Sequence, residues 1–214
     1  MSSRVTDESR KRSARSFLYD RANLVTLAGL VCGVSSIYFS ALGAHTAAAV
    51  ALLWALFCDW FDGPIARRMQ DRTDVDRAFG GQLDSLSDLV CSGVGPGMLL
   101  LSVSGFDPWF LPGAFALAIA GALRLAHFNV QGDADSYSGL PIDTNTIVVT
   151  ALFAFRDILG TAIFPWSLYA SIVILAVLNI APFRMPKPGD RALYVVSVYV
   201  VGMSVLLWRQ GVSG

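Results

Sequence analysis

Seven apolar runs punctuate the chain, at residues 24–42, 46–61, 86–103, 109–128, 142–163, 166–182 and 192–208, separated by short segments carrying Gly, Pro, Asp and Arg. Each run approaches the about 20 residues that an α-helix needs to cross a bilayer. The pattern predicts an all-α integral membrane protein, a polytopic bundle of about seven transmembrane helices. Gly29, Gly33, Ala114, Ala118 and Gly121 recur along the predicted spans. Small residues let helices approach closely in lipid, so packing is their expected role.

Composition supports the same class. Of 214 residues, 54% are hydrophobic and 15% charged, with a mean hydropathy of +0.56. Soluble domains carry roughly 25% charged residues, so a soluble globular core does not account for this chain. The formal net charge of zero hides a sorting of the cations. Arg4, Arg10, Lys11, Arg12, Arg15 and Arg21 precede the first run, Arg67, Arg68, Arg72 and Arg77 follow the second, and Arg124 ends the fourth. Arg184, Lys187 and Arg191 fill the last inner loop, and only Arg156 and Arg209 fall on the other side. Basic residues are retained on the cytoplasmic side, which predicts a cytoplasmic N-terminus, an external C-terminus and contact with anionic lipid headgroups. Residues 1–21 read as a basic cytoplasmic tail or interfacial helix with Ala14, Phe17, Leu18 and Tyr19 as its apolar face, and no removable signal peptide is expected there. With no internal repeat and no long linker, residues 22–214 read as a single transmembrane domain.

Cys32, Cys58 and Cys91 lie in apolar runs without a CxxC pair and read as small core residues. His45 reads as a polar turn residue. The candidate chemistry lies elsewhere, in Asp59, Asp62, Asp84 and Asp88 at the edges of the second and third runs. One Asp at the centre of a membrane helix costs roughly 2.5–3.5 kcal/mol on insertion scales, so four clustered carboxylates call for something cationic to hold them. Asp59 and Asp62 are three apart and Asp84 and Asp88 four apart, so each pair shares a helix face. Gly63 and Gly80 flank the pairs with spots free of a side chain, where a bulky ligand can reach the backbone. Two such helix ends form an oxygen-rich cage suited to a hard divalent cation, Mg²⁺ or Mn²⁺ with Ca²⁺ as a further candidate. A metal-loaded cage attracts phosphates, and Arg67, one turn beyond Gly63, is placed to pair with a phosphate or an Asp.

The string Asp59-x-x-Asp62-Gly63-x-x-Ala66-Arg67, followed by Gly80-x-x-x-Asp84-x-x-x-Asp88, resembles the signature of the CDP-alcohol phosphatidyltransferase family. The resemblance implies a six-helix membrane core, usually dimeric, that moves a phosphatidyl group from CDP-diacylglycerol to a small alcohol and releases CMP. It implies that Asp59, Asp62, Asp84 and Asp88 are metal ligands, with Asp88 also taking the proton of the attacking hydroxyl. By the same resemblance Gly63, Ala66, Arg67 and Gly80 border the cytidine diphosphate, joined by Asn23 and Thr26 at the start of the first span. The segments GQLDSLSDLV, Gly93-Val-Gly-Pro96, ALRLAHFNV and Gly139-Leu-Pro141 look like the phosphatidylserine synthase branch. His127 stands where serine synthases tend to have Arg, and the long spacer from Arg68 to Phe79 and Asn145 with Ile147 to Val149 look more like bacterial phosphatidylcholine synthases.

For serine, Arg124 is an apt partner for the carboxylate, with Asn129 adding a hydrogen bond and His127 a polar neighbour in the acceptor site. For choline, Trp60, Phe128 and Tyr137 would supply aromatic faces to the quaternary ammonium. Serine is the first expectation and choline the second. The expected partners are CDP-diacylglycerol, the alcohol, the bilayer and a second copy of the chain, with no nucleic acid. The expected location is the inner cell membrane with the site facing the cytoplasm. A cation-coupled transporter is the rival from another class; it would place acidic residues near mid-membrane in two related halves, and no second half mirrors the aspartates.

Overall fold

The computed structural model describes residues 14–131, 136–186, 189 and 191–213. The expectations for Arg4, Arg10, Lys11, Arg12 and Lys187, and for the side chains of Arg15 and Tyr137, fall outside the described part.

Asp20 opens the first long helix. Its carboxylate accepts from the backbone N–H groups of Ala22 and Asn23, an N-cap that satisfies donors the helix itself cannot pair. Before it, Ala14–Tyr19 forms a 3₁₀ helix whose Phe17 stacks on Phe79 at 4.0 Å between centroids, while Leu18 and Tyr19 stay exposed. Then follow α1 (Arg21–Ala41), α2 (His45–Arg68) and α3 (Asp74–Asp88), which runs through a π-helical segment (Leu89–Val94) into α4 (Gly95–Val103). Next come α5 (Leu111–Gln131), a short strand β1 (Ser136–Ser138), α6 (Asp143–Phe153), α7 (Arg156–Asn179), a strand β2 (Arg184–Pro186) antiparallel to β1, and α8 (Arg191–Ser213).

Among the described residues, six helices are long and apolar enough to cross a membrane, the third being the continuous stretch Asp74–Val103. The chain is an integral membrane protein. Helix α3 starts twelve residues earlier than the apolar run at 86–103, because Thr73 and Asp76 form a reciprocal capping box. The break expected between residues 163 and 166 lies instead at Ala154–Phe155. Arg156, just after it, donates from Nη1 to Thr46 Oγ1 at 2.6 Å and so ties the start of α7 to the start of α2. Gly160, at φ 69° and ψ 169°, adds a non-helical step within α7. Pro165 falls about a turn into the helix that resumes, where it removes one bond near an end.

Helix α6 is eleven residues long, about 16 Å at 1.5 Å per residue, half the hydrocarbon thickness. It nonetheless links the same two ends as its neighbours. Gln210 of α8 donates to Ala154 O and Gly211 abuts Thr46, while at the opposite end Arg72 meets Asp20 and Gly139 meets Phe183. Counting α6, the chain traverses the bundle seven times, and residues 14 and 213 lie at opposite ends.

Leu52, Leu53, Leu56, Leu99, Leu100, Leu117, Val149, Phe153, Leu168 and Ile172 form the buried core. Val31, Ile119, Leu123, Val177 and Val198 are exposed on the outside, which is where lipid replaces water as solvent. The small residues pack as expected: a Cβ at Gly29 would sit 3.0 Å from Cys58 Cβ, one at Gly97 3.2 Å from Ala114 Cβ, and one at Gly33 would collide with Cys91 Sγ. The three cysteines are free thiols grouped where α1, α2 and the π segment meet.

The inner entry to α6 is built on Gly139. Its φ of +73° suits glycine, its N–H donates to Phe183 O at 2.8 Å, and a Cβ there would strike the backbone carbonyl of Asn179. Leu140 N–H donates to Leu178 O, so this non-helical backbone stays satisfied, as membrane depth requires. Gly139→Ala is therefore expected to destabilise the protein by about 1–3 kcal/mol, read as a lower melting temperature in detergent; an unchanged midpoint would show that the turn relaxes freely.

Candidate active site

The aspartates come together across two helices. Asp59 and Asp62 project from one face of α2, Asp84 and Asp88 from one face of α3, and the pairing runs between helices. Asp59 lies within hydrogen-bond reach of Asp88, and Asp62 within reach of Asp84. One carboxylate oxygen from each of Asp59, Asp84 and Asp88 falls within 4.8 Å of the others. Asp62 stands beside this trio, only 8% exposed, with the Thr26 hydroxyl donating to its Oδ2 at 2.5 Å. Pro64 lies one turn after Trp60 in α2 and leaves the carbonyl of that turn without its helical donor.

The donor set fits a hard divalent cation. Three carboxylate oxygens within 4.8 Å match opposite and adjacent positions around an ion with metal–oxygen bonds of about 2.0–2.6 Å, and among the described residues no His or Cys joins them. Like charges this close in a low-dielectric interior repel strongly, and a cation between them would relieve that repulsion.

The π-helical segment begins at Leu89, the residue after Asp88. Its altered register frees carbonyls, and α6 takes them up: Asn145 Nδ2 donates to Ser92 O at 3.1 Å, and Thr146 Oγ1 lies 2.9 Å from Ser92 Oγ and 3.5 Å from Cys91 O. Ile142, buried, fills the space over Gly121 and reaches toward Gly93. These contacts fix the first turn of α6 against the helix that carries Asp84 and Asp88.

The residues expected around the nucleotide separate into two groups. Gly63 is open, with Arg67 Nη1 its nearest neighbour at 3.6 Å from a built Cβ, and Ala66 and exposed Arg67 continue that face. Gly80 does not offer the open spot expected of it, because Arg72 fills the space, its Nη2 lying 2.6 Å from where a Cβ would stand. Arg72 is held by Asp20 at 2.7 Å and donates to Asn23 Oδ1 at 3.2 Å, while Asn23 donates to Phe17 O. Gly80 and Asn23 thus seat an arginine that straps the α2–α3 loop to the start of α1, and Thr26 supports Asp62.

Of the three residues expected to receive the acceptor, Arg124 and His127 are three apart and share a side of α5, while Asn129 is turned away from both. Arg124 is buried in α5. Asn129 is exposed and exchanges hydrogen bonds with Ser85 of α3, at 3.1 and 3.2 Å. His127 is exposed, about 160° around the helix from Asn129 at 100° per residue. His45 opens α2, with Nε2 2.9 Å from Ser102 Oγ, and Phe128 is partly buried.

Asp143, at the first residue of α6, was not singled out in the sequence. It accepts from Trp60 Nε1 at 2.9 Å and lies near enough to Asp59, Asp88 and Arg124 to interact electrostatically with all three. The signal was present, since a lone Asp opening an apolar run carries the same insertion cost that marks the other four. Asp20 was not singled out either, although an Asp directly before an apolar helical run is an N-cap signal. Arg72 was visible only as one cation among several.

Comparison with known proteins places this geometry. A family profile described as CDP-alcohol phosphatidyltransferase matches residues 20–180. A CDP-diacylglycerol–serine O-phosphatidyltransferase of Bacillus subtilis is 32% identical over 140 residues, covering 64% of this chain and 77% of its own. An archaetidylserine synthase of Methanothermobacter thermautotrophicus is 29% identical over 170 residues, covering 77% of this chain and 69% of its own. A phosphatidylcholine synthase of Rhizobium meliloti is 30% identical over 156 residues, covering 72% of this chain and 64% of its own.

Proposed function

The chain belongs to the CDP-alcohol phosphatidyltransferase family, and from that premise we propose that it transfers the phosphatidyl group of CDP-diacylglycerol to the hydroxyl of L-serine, giving phosphatidylserine and CMP. The observation that carries the proposal is the meeting of Asp59, Asp84 and Asp88 beside an open Gly63 face. Asp59, Asp62, Asp84 and Asp88 would hold Mg²⁺ or Mn²⁺, with Ca²⁺ a third candidate, and a bound cation supplies charge neutralisation to the diphosphate and to the departing CMP. Gly63 and Ala66 leave room for the diphosphate against α2, and Arg67 pairs with its oxygens. Asp88 accepts the proton of the attacking hydroxyl, since an alcohol is a weak nucleophile at neutral pH. The new bond joins the serine oxygen to the phosphatidyl phosphorus, the bond from that phosphorus to the CMP oxygen breaks, and its electron pair leaves with CMP.

Arg124 supports serine as the acceptor, being a buried guanidinium close to this site and suited to a carboxylate. Two of the relatives above bear serine-related names. The choline reading rests on Trp60 beside the carboxylates and on the choline-synthase relative. The sorting of Lys and Arg supports a site facing the cytoplasm at the inner cell membrane. Family resemblance supports a homodimer, with residues 22–214 as one transmembrane domain behind a basic segment at 1–21.

The test is an acceptor screen. Purified protein in liposomes is given CDP-diacylglycerol with serine, choline, inositol, glycerol 3-phosphate or glycerol, and both CMP and the lipid product are measured. CMP release with serine is expected, lost on chelation and restored by Mg²⁺ or Mn²⁺. Product with choline and none with serine would overturn the acceptor, and neither CMP release nor cytidine nucleotide binding would overturn the enzymology.

A further inference from the structure

We propose that Asp143 is a specificity-determining residue that receives the cationic nitrogen of the acceptor, so that the enzyme takes amino alcohols in preference to anionic or uncharged ones. The inference rests on the reading of the site given above and adds a residue outside the eight-residue signature around the four aspartates.

Position comes first. Asp143, held by Trp60 one residue after Asp59, lies near enough to Asp88, the proposed base for the attacking hydroxyl, and to Arg124 to interact electrostatically with both. A group near both stands within reach of the remaining substituents of a small alcohol whose hydroxyl meets Asp88. Its placement is fixed rather than incidental: Ile142 is seated against Gly121, Asn145 and Thr146 are tied to the π segment, and Trp60 Nε1 holds Oδ2 at 2.9 Å. Asp143 is not one of the three carboxylates that converge within 4.8 Å.

Chemistry then selects the ligand. In serine the ammonium and the carboxylate share one carbon, next to the carbon that bears the hydroxyl. Arg124 and Asp143 present the complementary pair of opposite charges, one for each group. In choline the nitrogen stands two carbons from the hydroxyl and carries no donor, so Asp143 acts by charge and the Trp60 ring by its face. Glycerol 3-phosphate brings a dianion toward Asp143 and is repelled; inositol and glycerol gain nothing from it.

The test compares Asp143→Asn with the wild-type protein in liposomes, titrating serine, choline and glycerol 3-phosphate separately against CDP-diacylglycerol. Loss of a charge-assisted contact is expected to raise the apparent KM of an amino alcohol about tenfold or more. The KM for CDP-diacylglycerol and the half-saturating metal concentration should stay within about threefold, and discrimination against glycerol 3-phosphate should narrow. A rise with both serine and choline assigns Asp143 to the shared nitrogen. An unchanged acceptor KM overturns the proposal, as does a shift in metal requirement larger than the shift in acceptor KM, which would make Asp143 a metal ligand. If the Asn variant does not fold, Asp143→Glu is measured instead; its carboxylate is displaced by one methylene, so an acceptor KM equal to wild type overturns the proposal there too. A wild-type protein that releases no CMP with any acceptor refutes the proposed function instead, so the two failures are separable.

Discussion

Asp88→Asn is expected to lower kcat for phosphatidyl transfer by about 10³-fold or more, with Asp84→Asn abolishing CMP release. A positioned general base contributes about 10²–10⁴-fold, and Asp88 also supplies one of the three oxygens that lie within 4.8 Å of each other. An amide cannot take a proton from the attacking hydroxyl and is a poorer ligand for a hard cation, so both contributions fall together. The same change has an opposite expected effect on the empty protein. Asp88 lies within reach of Asp59 and close to Asp84, and replacing one of several apposed carboxylates by a neutral isostere removes repulsion that the fold otherwise carries. In chelator, the melting temperature of Asp88→Asn should exceed that of the wild type. On adding Mg²⁺ or Mn²⁺ the wild type should gain more, because a ligand that binds only the folded state stabilises in proportion to its affinity. A variant with near-normal kcat would remove Asp88 from the proton transfer. One that gains as much from metal as the wild type would remove it from the metal site.

Arg124→Ala is expected to raise the apparent KM for serine about 100-fold while changing that for CDP-diacylglycerol by no more than a few-fold. Arg124 is 8% exposed on α5 and interacts with Asp143. A buried guanidinium offers a carboxylate two parallel charge-assisted hydrogen bonds, and losing them leaves the substrate charge unpaired in a poorly solvated site. Choline has no carboxylate and should respond weakly. Arg124→Lys should recover only part of the serine affinity, since an ammonium lacks the planar fork. Equal losses for serine and CDP-diacylglycerol, or equal losses for serine and choline, would instead assign Arg124 to holding α5 and α6 together.

Much of the site was legible because it is local. Asp59 with Asp62, and Asp84 with Asp88, share faces by helical periodicity alone, and their cost beside lipid marks them as a functional group. The side chain that fills the space at Gly80 was not legible, for the complementary reason. A glycine near a carboxylate pair is compatible with an approaching ligand or with an approaching side chain, and only the packing of Arg72 against Asp20 and Asn23 distinguishes the two. Arg124 and Asn129 lie within six residues of one another, yet the helix sets them about 140° apart, Arg124 toward α6 and Asn129 toward Ser85. Proximity in sequence did not amount to a shared site.

The amino-acid sequence by itself determined that this protein lives in a membrane, how many times it crosses the bundle, and which carboxylates stand together on each helix. Those properties follow from burial energies and from a period of 3.6 residues, both of which act within a single segment. The tertiary structure alone decided that Asp59 faces Asp88 and Asp62 faces Asp84, that an arginine strap covers Gly80, and that Asp143 joins Trp60 and Arg124 beside them. Each of these is a meeting of side chains from helices far apart in the chain, fixed by the glycine-lined contacts and the π segment that set how closely those helices approach.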